Sequence, residues 1–67
     1  MLTDGFYWVL KKNEDGTTSG HRWLIADRIT QNNGYIRWAV LYDPETYNDP
    51  TFQEYYQVGL KITPPAL

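Results

Sequence analysis

The chain has 67 residues, a formal net charge of −2, one histidine and no cysteine. That length allows one small domain over residues 1–67, burying only about 60% of its unfolded surface, with no disulfide or thiolate metal site to staple it. The acidic balance speaks against a dedicated duplex-DNA binder, and no apolar run approaches the roughly 20 residues of a membrane span.

Met1 to Gly5 shows no basic stretch followed by an apolar run, so no secretory leader is expected and the location expected is cytoplasmic. Phe6, Trp8 and Leu10 then alternate with Tyr7, Val9 and Lys11, the period of two of a strand in β-favouring residues. Phe6, Trp8 and Leu10 are expected to face the core, and Tyr7, Val9 and Lys11 to face outward or toward a partner. Asn13 to Gly16 is turn chemistry. A second strand reads from His21 to Ile29, and its centre, Trp23-Leu24-Ile25-Ala26, is apolar on both faces like a covered central strand.

Asn33-Gly34 between two β-like runs is a hairpin signal, and the third strand follows from Tyr35 to Tyr42. A two-residue turn pairs Ile29 with Trp38 and Asp27 with Val40. A three-residue loop ending at a left-handed Gly34 pairs Arg28 with Trp38 and Ala26 with Val40 instead. The first register is preferred, because it gathers Ile25, Ile29, Ile36, Trp38 and Val40 on one face; its weak point is Asp27 on that same face. The expected core is Phe6, Trp8, Leu10, Trp23, Ile25, Ile36, Trp38 and Val40.

Asp43-Pro44 and Asp49-Pro50 each read as a cap followed by a proline at the first helical position, starting a turn or a single helical turn. A single helical turn is expected near Pro50 to Gln53, then a last strand from Tyr55 to Ile62 with a bulge at Gly59. Pro64-Pro65 ends regular structure. The fold expected is mainly β: a small, twisted antiparallel sheet of three or four strands, half-closed toward a barrel.

Three Trp, six Tyr and two Phe exceed what so small a core can hold. The surplus gathers in the acidic loop and its flanks. Tyr42, Asp43, Glu45, Tyr47, Asp49, Tyr55 and Tyr56 are therefore the candidate partner-binding residues, since stiff aromatics lose little entropy on docking and the negative charge would steer toward a basic groove. Arg22-Trp23, Arg28 and Arg37-Trp38 form a rival aromatic-basic pattern for single-stranded nucleic acid or carbohydrate. Ser19 and His21 lack a third group to orient them as a nucleophile and base, and Asp43, Glu45 and Asp49 lack the spacing of a calcium loop. No catalytic residue, metal or cofactor is expected. With staples absent, a homodimer is a further expectation.

"GFYWVLKK" near the start, the tryptophans at Trp23 and Trp38, and "VGLKITPP" near the end resemble short uncharacterised accessory proteins of phages and prophages. Those begin with a G-[FW]-Y-W-V strand and end near V-G-x-x-I-x-P. The resemblance implies a small antiparallel β domain in the host cytoplasm. It also implies a non-enzymatic protein-binding module that blocks a host defence system or host enzyme.

Overall fold

A computed structural model describes residues 2–18 and 22–63. Ser19, His21, Pro64 and Pro65 lie outside them. Five antiparallel strands form one open sheet: β1 (Gly5–Lys11), β2 (Leu24–Thr30), β3 (Ile36–Val40), β4 (Thr46–Asn48) and β5 (Tyr56–Lys61), with one helix, α1 (Asp49–Tyr55), between the last two. Their spatial order is β4-β3-β2-β1-β5.

Laid flat, the edge strands β4 and β5 would stand about 19 Å apart, four strand spacings. The seven-residue helix that joins them rises only about 10.5 Å. The sheet therefore curls, and the ring centroids of Tyr47 on β4 and Tyr56 on β5 come within 6.0 Å. Helix α1 lies in the hollow, and the barrel does not close. Asn48 caps the helix by accepting from the Thr51 N–H, so the cap falls one residue before the expected Asp49, with Asp49 and Pro50 in the first turn. At the other end Lys12 reaches the last turn, its Nζ 2.7 Å from the Gln53 carbonyl, where a cation meets the negative end of the helix dipole.

The core fills the hollow. Tyr7, Val9, Ala26, Trp38, Val40, Phe52 and Tyr56 form one buried cluster. Phe52 stacks between Trp38 (4.3 Å) and Tyr56 (4.8 Å). Tyr7 on β1 also meets Trp38 on β3, at 5.5 Å across β2. Two large rings can meet over an intervening strand only if it carries a small side chain there, and Ala26 supplies it.

Two expectations are corrected by this arrangement. The hairpin takes the three-residue loop: Arg28 faces Trp38, Ala26 faces Val40, and Gly34 sits at φ 83°. Gly34 N–H donates to the Gln31 carbonyl, closing a turn whose last residue needs the left-handed region. This register removes Asp27 from the core but brings Arg28 in. Arg28 is relieved by Asp4, whose Oδ1 lies 2.9 Å from its Nη1. Asp4 also accepts from the backbone N–H and the hydroxyl of Thr30.

The faces of β1 are also reversed. Tyr7 and Val9 are buried, while Phe6 is 53%, Trp8 40% and Trp23 45% exposed. Ile25 is half-buried on the outer face; Ile36 is half-buried against the core. Leu10, Trp38 and Val40 are buried as expected. The physical cause is the crossing helix: whichever face α1 covers becomes the core, and Phe52 seats on Trp38. The bulge near Gly59 is present, since Tyr7 pairs with Lys61 but Val9 with Val58.

Candidate functional site

The acidic loop turns largely inward. Asp43 Oδ2 accepts from the Tyr47 hydroxyl at 2.8 Å and the Tyr56 hydroxyl at 3.4 Å, and Oδ1 accepts from the Glu45 N–H. Asp49 Oδ1 accepts from the buried Trp38 Nε1 at 2.8 Å. Tyr56 is buried and Tyr47 half-buried. Of the seven candidate residues, Tyr42, Glu45 and Tyr55 remain exposed to a partner; Asp43, Tyr47, Asp49 and Tyr56 are joined in this inner network. The Glu45 N–H and the tyrosine hydroxyls hold the Asp43 carboxyl below its ordinary value. In return, the bond to Asp43 raises the Tyr47 hydroxyl, and burial raises that of Tyr56.

A pH prediction follows from these raised values. Folding favours the neutral phenols, so their contribution is complete below the ordinary tyrosine value of 10 and is lost as pH rises from there toward the folded values. Alkaline titration followed by tyrosinate absorbance should show Tyr47 and Tyr56 ionising only with unfolding. A titration that Tyr47→Phe and Tyr56→Phe each reduce by one tyrosinate before the backbone circular dichroism changes would contradict it.

Among the described residues, no helix covers the sheet's other face. Cross-strand pairs set its rows: Trp8 opposite Ile25, with Leu41 bonded to the Ile25 carbonyl, and Phe6 opposite Asp27 opposite Ala39. Leu41 is 53% and Leu60 81% exposed. Two hollows mark this face. One, open and of about 380 Å³, is lined by Trp8, Trp23 and Leu60. The other, about 330 Å³, lies among Phe6, Ile25, Asp27, Ala39, Leu41 and Tyr42. No family model, curated protein or solved structure matches the chain. The site must accordingly be read from its own chemistry.

Among the described residues no three acidic or imidazole side chains gather as metal ligands. No described helix is long and apolar enough to cross a membrane. Arg28, one member of the aromatic-basic pattern, is paired with Asp4. What the outer face offers is exposed rings on a stiff sheet, a composition typical of protein contacts. Sequence reasoning assigned Phe6, Trp8 and Trp23 to the core. The signal that could have found them was already present: too many rings for one hollow, and a β1 apolar on both sides.

Two backbone positions shape the face. Gly59 faces the Trp23 ring so closely that an added Cβ would stand 2.7 Å from Trp23 Cζ3 and 3.0 Å from the Trp8 carbonyl oxygen. Gly59→Ala should displace Trp23, cost about 1–3 kcal/mol by overpacking, and shift tryptophan emission to the red. An unchanged spectrum and melting curve would contradict that placement.

Tyr42 sits in the left-handed region at φ 71° and is 94% exposed. Its turn is closed by the Asp43 N–H on the Val40 carbonyl. A tyrosine there is strained, and asparagine suits the conformation better. Tyr42→Asn should therefore stabilise the fold by about 0.5–1 kcal/mol, read as a higher urea midpoint; a lower midpoint would show that the ring contributes to the fold.

Proposed function

We propose that the chain is a non-enzymatic protein-binding module that docks through the outer face of its sheet. The observation that carries this reading is the run of Phe6, Trp8, Trp23, Leu41 and Leu60, all more than a third exposed on a face that no element among the described residues covers. Single exposed apolar residues are ordinary, but a contiguous patch marks a contact surface. Tyr42 supports it, because strain kept at an exposed ring fits a role outside the fold. The resemblance to phage and prophage proteins supports the setting: an accessory protein acting in the host cell by blocking a defence system or enzyme.

The rival reading, a binder of single-stranded nucleic acid or carbohydrate, draws on Trp8 and Trp23 lining one hollow. Asp27 on the same face and the net charge of −2 oppose contact with phosphates.

Capture from host lysate tests the reading. Trp8→Asp and Leu41→Asp should fold and lose the captured protein, while Glu45→Lys and Tyr55→Asp on the acidic side should keep it. The opposite result would move the contact to the acidic loop. Capture of oligonucleotide with a steep salt dependence would favour the rival.

A further inference from the structure

We propose that the hollow around Asp27 receives a lysine or arginine side chain of a protein partner, whose apolar neighbours lie along the Trp8 side of the same face. The inference rests on the reading of the outer face as a docking surface and names the chemistry of what docks there. Asp27 lies in β2, the middle strand of the sheet, between Phe6 and Ala39 in the cross-strand register. It is half-buried. Among the described residues its carboxylate has no hydrogen-bond or ion-pair partner, the one salt bridge being Arg28–Asp4. Arg37 lies diagonally on β3, opposite Ile29, and no ion pair joins it to Asp27.

A carboxylate held among apolar side chains loses hydration, and a docked apolar surface would strip the rest. Docking on this face therefore favours a partner that brings its own cation. The hollow suits one with a long apolar stem. Phe6, Ile25, Leu41 and Tyr42 line it beside Asp27 and offer apolar surface to the methylenes, while the charged head meets the Asp27 carboxylate. The adjoining hollow of Trp8, Trp23 and Leu60 takes an apolar neighbour.

A second copy of the chain fits less well. The outer side of a curled sheet is convex, so two copies laid back to back touch over a small area. Their Asp27 carboxylates would also approach each other within the contact.

The test uses short peptides of alternating leucine and lysine, and of alternating leucine and glutamate, titrated at low salt. Exposed Trp8 and Trp23 report binding through their emission. The lysine peptide should bind and the glutamate peptide should not. Asp27→Asn should weaken the lysine peptide about tenfold, about 1.4 kcal/mol, and Glu14→Gln, an equal loss of charge in the exposed β1–β2 turn, should leave it unchanged. Equal weakening by the two variants would show a mere net-charge effect and overturn the proposal. Equal binding of both peptides, weakened alike by Trp8→Asp, would also overturn it, yet leave the outer-face reading standing. No emission change with either peptide would overturn it too, and the lysate capture then decides the reading by itself. Sedimentation as a dimer that Trp8→Asp dissociates would give the face to a second copy, again overturning it.

Discussion

Trp38→Ala is expected to unfold the domain. Trp38 is fully buried, stacked on Phe52 with an interplanar angle of 1° and tilted against Tyr7 at 5.5 Å. Removing so large a ring from a packed site costs about 3–5 kcal/mol, as lost transfer energy plus a cavity. Its Nε1 also donates to Asp49, so the first turn of α1 loses a fixed contact as well. A small domain has about 5 kcal/mol to lose. Trp8→Ala provides the contrast: with 40% of the residue already in water, the melting curve should move much less. Equal shifts for the two variants would contradict the assignment of their faces.

Phe52→Ala should be nearly as damaging and should act on a different element. Phe52 is the buried residue of α1 and is stacked between Trp38 and Tyr56. A helix of seven residues has no stability of its own in water and holds only through tertiary packing. Without Phe52 the helix should detach from the hollow, exposing Tyr47 and Tyr56 and costing about 3–5 kcal/mol. Tyr55→Ala, on the exposed side of the same helix, serves as the control and should change stability little. A Phe52→Ala variant with parental tyrosine titration and melting temperature would show that the hollow closes without the helix.

Several features were legible in the residue order. The alternation in Phe6 to Lys11 marks a strand whichever side it buries. Asn13 to Gly16 forms its turn, with Gly16 N–H donating to the Asn13 carbonyl at 3.0 Å. Asp49-Pro50 placed a short helix ahead of the last strand, Asp43-Pro44 starts a bend in which the Asp43 carboxylate accepts from the Glu45 N–H, and Gly59 marked the bulge. The three-residue β4 escaped notice, because Thr46–Asn48 is too short to show a period.

Local pattern could not choose between alternatives that differ only in what lies far away along the chain. Asn33-Gly34 serves both hairpin registers equally well; the choice came from Ala26 fitting between Tyr7 and Trp38, and from Asp4 being in reach of Arg28. Asp43 and Asp49 read in sequence as caps on an acidic surface, and only folding brings Tyr47, Tyr56 and Trp38 to them.

Residue order determined a mainly β domain, its turns and its excess of rings, because these depend on backbone preferences and periodicity within a few residues. The tertiary structure alone decided which rings are core and which are surface. On β1 both faces are apolar, so burial is settled by where α1 crosses the curled sheet. That crossing buries Tyr7 and Val9, and leaves Phe6, Trp8 and Asp27 on the outside.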